Sequence, residues 1–149
     1  MHENVNFVFV RQWMAIQPGI AYKYCKYCDC VKPPRTHHCS ITGKCIYDFD
    51  HFCPWVGQTV GYGNYRYFFL FVLHVFICNL YGLCMSFQPF MAIRSFYAAP
   101  QIELLSEMPE AFSIATVFTV CLAGGMATAV LLCWHIYLIA TNQTTVGNE

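Results

Sequence analysis

The chain has 149 residues, 57% of them hydrophobic and only 11% charged, and its eight basic and eight acidic side chains cancel. A zero balance carries no electrostatic footprint for nucleic acid, and no nucleic-acid partner is expected. The charges are also segregated, with none between Arg66 and Arg94 and none between Glu110 and Glu149. Roughly 20 apolar residues cross the hydrocarbon core of a bilayer, and a chain this short is too small to bury two such runs in a soluble core.

Residues 1–23 are mixed in character and form the first segment. Val5, Phe7 and Phe9 alternate with polar neighbours, Arg11 and Gln12 interrupt any spanning helix, and Pro18-Gly19 closes the stretch. A short strand or an interfacial piece is expected. No secretory signal is expected, because neither a basic n-region nor an apolar h-region with a cleavage site is seen.

Residues 24–65 hold Cys25, Cys28, Cys30, Cys39, Cys45 and Cys53 with His37, His38 and His51, punctuated by Pro33-Pro34, Gly43, Gly57, Gly61 and Gly63. A segment with so little aliphatic content does not fold on an apolar core alone, so a metal staple and short hairpins are expected.

Residues 66–90 read as a first transmembrane helix that opens on interfacial aromatics. His74, Asn79, Gly82 and Ser86 supply polar or small positions suited to face another helix. Residues 91–110 read as a connecting loop with Pro100 and Pro109, and residues 111–140 as a second transmembrane helix. Its Gly124-Gly125 pair suits either close helix contact or a kink. Cys78, Cys84, Cys121 and Cys133 are small apolar filler in these runs. Residues 141–149 form a tail.

Seven of the eight Lys and Arg residues lie before the first span or at its first residue, and only Arg94 lies in the connecting loop. The basic side of a membrane protein faces the cytosol. Both termini and the cysteine-rich segment are therefore expected in the cytosol, with 91–110 lumenal. A reducing cytosol favours metal binding over disulfides.

Cys25-x-x-Cys28 has zinc-knuckle spacing, and His38 and Cys45 complete four soft ligands. Spacing alone leaves His37 open against His38, and Cys30 or Cys39 open against Cys45. Four protein ligands close a tetrahedron, so the zinc is expected to be structural. Cys53 has three readings: a metal ligand, an inert buried thiol, or a nucleophile. The last needs thiolate character, which His51 as base and Asp50 as orienting carboxylate would supply in a nucleophile–base–acid trio.

The run Cys25-x2-Cys28-x3-Lys32-Pro33-x-Arg35-x2-His38-Cys39-x5-Cys45-x4-Asp50-His51-Phe52-Cys53-Pro54-Trp55-Val56 resembles the cysteine-rich domain of the DHHC-type protein S-acyltransferases, or palmitoyltransferases. Gly61-x2-Asn64-Tyr65-Arg66-x-Phe68 and a span follow, and Asn142-Gln143-Thr144-Thr145 is similar to the family's threonine pair after its last helix. The likeness runs over residues 22–147. It implies a membrane α-helical fold: two transmembrane helices in a hairpin beside a small zinc-stapled, hairpin-rich cytosolic domain.

The resemblance also implies an integral, multi-pass endomembrane enzyme. Cys53, deprotonated by His51 with Asp50 orienting the imidazole, attacks a long-chain acyl-CoA and passes the acyl group to a cysteine of a membrane-associated substrate protein. The spans would hold the acyl chain in the lipid bilayer. Lys23, Lys32, Arg35, Lys44 and Arg66 are candidates for the CoA phosphates, or are solvated positive-inside charges. The alternative is a non-catalytic zinc-bearing membrane adaptor, or an inactive fragment of such an enzyme.

The chain departs from the family pattern. A pair of Cys3His zinc sites is usual there. The first maps onto Cys25, Cys28, His38 and Cys45, whereas the second would use Cys39, Thr42, Phe52 and Thr59. One structural zinc is therefore expected, with Phe52 and Val60 filling the lost site apolarly; a rescue set of Cys30, His37 and Cys39 is the other arrangement considered. Phe52 replaces a metal-binding histidine and leaves the trio intact, as in fungal members with an aromatic there. Gly147 stands where a glutamate usually follows the threonine pair. The family has two further spans ahead of the cysteine-rich domain, so the sequence reads as a fragment lacking them.

Overall fold

The computed structural model describes residues 23–97 and 108–146. The expected 1–23 segment lies outside the described residues except for Lys23, as do the middle of the 91–110 loop and the end of the tail. Two compact units emerge, one comprising the residues up to Phe68 together with those from Ile136 onward, the other Phe69–His135.

In the first unit six strands pair as three successive antiparallel hairpins. They are β1 (Lys23–Cys25) with β2 (Cys30–Lys32), β3 (Thr36–Cys39) with β4 (Lys44–Tyr47), and β5 (His51–Cys53) with β6 (Gln58–Val60). Isolated hairpins are marginal in water, and the core under these is small, with Cys25, Cys39, Cys53, Val60 and Asp50 buried. The chain leaves β6 at Gly61, where a Cβ would fall 2.6 Å from Ile46 Cγ2 and 3.1 Å from the Tyr47 carbonyl, so only glycine passes. Asn64 ties this exit to the next helix. Its side chain accepts from the Gly61 N–H and donates to the Thr59 carbonyl, both at 2.9 Å, while its own carbonyl takes the Phe68 N–H at 3.0 Å.

The helices are α1 (Tyr65–Tyr97) and α2 (Met108–Ala140), 33 residues each. At about 1.5 Å per residue each is roughly 50 Å long, ample for a hydrocarbon core of about 30 Å. Both are long and apolar enough to cross a membrane, and their most apolar windows are 11% and 0% buried. Phe112 and Val130 are 74% and 72% exposed. A soluble core helix would hide such a surface, whereas lipid suits it. Within the second unit the helices pack antiparallel: Asn79 lies at Gly124, Gly82 at Cys121 and Phe90 on Phe118, with rings stacked at 4.2 Å. A Cβ on Gly124 would meet Asn79 Oδ1 at 2.7 Å, so this glycine serves close contact between the helices.

One expectation is corrected. Residues 91–97 are helical, since α1 continues through Pro89 to Tyr97, and α2 begins at Met108 rather than at 111. Pro89 removes a single N–H from the ladder, and good helix formers such as Met91 and Ala92 carry the helix on. Pro109 lies in the first turn of α2, where a backbone N–H has no helical partner to lose.

Candidate active site and metal centre

Two hairpins build the candidate metal centre. The first contributes Cys25 at the end of β1 and Cys28 in its turn, while His38 and Cys45 are directly opposed partners across β3 and β4. His38 Nδ1 lies 3.6 Å from Cys25 Sγ, 3.2 Å from Cys28 Sγ and 3.9 Å from Cys45 Sγ, and all four ligand atoms fall within 4.8 Å of one another. A tetrahedral zinc with sulfur at about 2.3 Å and nitrogen at about 2.0–2.1 Å would set those edges near 3.6–3.8 Å, so the residues fit. Burial and the adjacent sulfurs push the Cys45 thiol up; a cation among the sulfurs would reverse that. This cluster could hold a metal ion. Tyr27 stacks on the His38 ring at 5.0 Å.

The alternatives that spacing left open are separated. Cys30 lies beside the cluster, 4.0 Å from Cys45 Sγ, and His37 packs its ring on Phe49. Cys39 instead meets the two threonines at the positions of the absent second site: Thr59 Oγ1 donates to Cys39 Sγ at 3.2 Å, and the Thr42 and Thr59 hydroxyls lie 3.3 Å apart. Phe52 is the cross-strand partner of Thr59. The apolar filling expected there is thus only half the picture. Val60 is fully buried, but the centre is a hydrogen-bonded trio, because a hydroxyl both donates and accepts and can close such a network.

Strand β5 explains the second cluster. Residues two apart on a strand share a face, so His51 and Cys53 point one way and Phe52 the other. Asp50 precedes the strand, with 0% exposure and its N–H on the Val60 carbonyl at 3.0 Å. Its Oδ2 is 2.6 Å from His51 Nδ1. Thr145, 95 residues away in sequence, gives its backbone N–H to Oδ1 at 2.8 Å and its hydroxyl to Oδ2 at 3.0 Å. Burial pushes the Asp50 carboxyl up, but the bonds from His51 and Thr145 outweigh it and hold the group below its ordinary range.

The bond to Asp50 raises His51 above the usual imidazole range against the opposing effect of burial, with a further contribution from a hydrogen bond to Cys53. Burial pushes the Cys53 thiol up, but the Val56 backbone N–H, His51 and the Trp55 backbone N–H together bring it below a free cysteine. The His51 ring meets Phe68 edge-on at 4.9 Å. The structure therefore brings Asp50, His51 and Cys53 together, with a 2.6 Å hydrogen bond between Asp50 and His51 and with His51 and Cys53 on one face of β5. Sequence reasoning did not reach the Trp55 and Val56 amides or Phe68, although Pro54 after the strand signals the turn that directs those amides back.

Residues 19–148 match the family described as DHHC palmitoyltransferase. Among curated proteins the chain is 38% identical over 129 residues to protein S-acyltransferase 8 of Arabidopsis thaliana, covering 85% of this chain and 30% of that one. It is 36% identical over 126 residues to palmitoyltransferase ZDHHC9 of Homo sapiens, covering 85% and 33%. A cysteine-rich hairpin domain joined to two apolar helices is the class of protein defined here. The chain belongs to the DHHC palmitoyltransferase family. It spans about a third of the length of these curated relatives.

Proposed function

We propose that the protein is a membrane-embedded protein S-acyltransferase that uses Cys53 as its nucleophile, and the observation that carries this is the Asp50–His51 hydrogen bond with Cys53 on the same face of β5 as His51. His51 takes the Cys53 proton, and Asp50, held by Thr145, fixes the imidazole tautomer and steadies the imidazolium. The Sγ thiolate attacks the thioester carbonyl carbon of a long-chain acyl-CoA. The carbon–sulfur bond to CoA breaks and CoA leaves as its thiol, taking the proton back from His51. A substrate-protein thiol then gives its proton to His51 and attacks acyl-Cys53, releasing Cys53. One thioester is exchanged for another at each step, so the protein supplies positioning and thiolate activation rather than driving force.

In this reading Cys25, Cys28, His38 and Cys45 hold one structural zinc. Bound there, the ion fastens the β1–β2 and β3–β4 hairpins to each other and leaves no open position for chemistry. The family membership, the apolar helices and the excess of Lys and Arg before the first span support an endomembrane location with the cysteine-rich domain cytosolic. Substrates would be cysteine-bearing proteins at that membrane.

The test is mass spectrometry of the membrane protein after exposure to palmitoyl-CoA. A hydroxylamine-labile acyl group on Cys53, lost in Cys53→Ala and chased onto an acceptor protein, is the expected result. An acyl group that forms on Cys53 but never transfers would instead indicate a membrane adaptor.

A further inference from the structure

Arg35 turns the chain from Pro34 into β3 with φ 62°, and its side chain reaches two distant places. Its Nε lies 2.6 Å from Asp48 Oδ1, and both of these atoms are closed to solvent. Its Nη1 donates to Asn142 Oδ1 at 3.2 Å, 107 residues further along the chain. The Arg35 carbonyl also takes the Phe49 N–H at 3.3 Å. One residue therefore grips the β4–β5 junction, which carries Asp50, and the end of α2.

Asn142 also terminates α2. It has φ 52°, its N–H bonds the Ile139 carbonyl at 3.2 Å, and the Gln143 N–H bonds the Leu138 carbonyl at 2.9 Å. This is a Schellman cap with asparagine in the left-handed position. Three residues later Thr145 places its two donors on Asp50. A short segment leaving a helix end has many conformations to lose, and a fixed point at Asn142 removes most of them before Thr145 arrives.

We propose that Arg35, Asp48 and Asn142 form a clasp in which Arg35 and Asn142 are positioning residues, registering residues 142–145 on the strand junction so that Thr145 keeps both donors on Asp50. The proposal rests on the reading of Asp50, His51 and Cys53 as the reactive trio. Asp48 anchors the guanidinium, and Asn142 couples that anchor to the cap.

Single-turnover formation of acyl-Cys53 from palmitoyl-CoA, measured on the membrane-embedded protein, tests this. Asn142→Gly keeps the left-handed cap and removes only the acceptor. It is expected to lower the limiting rate about tenfold with the half-saturating acyl-CoA concentration unchanged, as for a misplaced catalytic group. Asn142→Asp, which keeps the acceptor, should recover most of that loss. Combined with Thr145→Ala, Asn142→Gly should cost well under the product of the two separate losses, because both act through Asp50. Zinc content should be equal in all variants.

An Asn142→Gly protein that acylates at the unaltered rate would overturn the clasp, and so would losses that multiply. A parent protein that forms no acyl-Cys53 at all would remove the catalytic reading and the clasp with it, a result distinct from either.

Discussion

A carboxylate with no exposed surface is tolerated at Asp50 because three hydrogen bonds, one of them from His51, replace its water. The same arrangement sets the pH behaviour. Asp50 is depressed, so its contribution to stability is present above the ordinary carboxylate range and is lost as pH falls through its folded value. His51 is raised, so its contribution is complete below about pH 6.5 and is lost as pH rises through its folded value. The pair therefore supports the fold best in mildly acidic to near-neutral solution. If neutral His51 is the base, as proposed, the acid limb of acyl-Cys53 formation should lie above about pH 6.5. Asp50→Asn should move that limb downward and cut the maximal rate by roughly ten-thousandfold, the order seen when a triad loses its carboxylate. A limb that stays in place in Asp50→Asn would contradict the assignment of roles.

At the level of elements, each hairpin has one task. The first two bring together the four residues that could hold a metal, and the third carries the nucleophile and base of the proposed reaction. Cys45→Ala should abolish zinc retention and leave residues 23–60 open to limited proteolysis, since structural zinc supplies folding energy that two-stranded hairpins lack. Cys39, Thr42 and Thr59 already touch, and Phe52 faces Thr59 across the ladder. The triple change Thr42→Cys, Phe52→His and Thr59→Cys should therefore raise the zinc content from one to two per chain by elemental analysis, and a count unchanged at one would deny that the threonines occupy ligand positions. In the helical unit, Gly124→Leu should push α1 and α2 apart at Asn79 and lower thermal stability in detergent by about 1–3 kcal/mol, the usual cost of overpacking.

The grouping of Cys25, Cys28, His38 and Cys45 and the contact of Asp50 with His51 were legible in the sequence because ligand spacing and strand alternation both act over a few residues. The grip of Thr145 on Asp50 and of Asn142 on Arg35 was not. Those pairs lie 95 and 107 residues apart, and no local period or spacing encodes such a separation; only the family likeness drew attention to the threonines. The hydroxyl network at Cys39 escaped for a different reason: a sequence shows that ligands are missing but not whether polar or apolar groups replace them. The first helix was expected to end at residue 90, and it runs on through Pro89 to Tyr97, because a proline inside a helix removes one bond and can kink it without ending it.

For the whole molecule, the proposed topology puts residues 23–60 on the cytosolic side of the membrane. Trypsin added to sealed vesicles with the cytosolic face outward should cut among Lys23, Lys26 and Lys44 once zinc is chelated, and protection of all three sites would reverse the orientation. The relatives share their likeness over only about a third of their own length, so the reactive trio must be judged by its chemistry in this protein. The most direct measurement is the burst of free CoA on mixing the purified membrane protein with palmitoyl-CoA, read together with the site of acylation. The account predicts about one CoA released per chain, with the acyl group on Cys53 and on none of the other nine cysteines. A burst that survives Cys53→Ala, or an acyl group distributed over the exposed thiols, would contradict it.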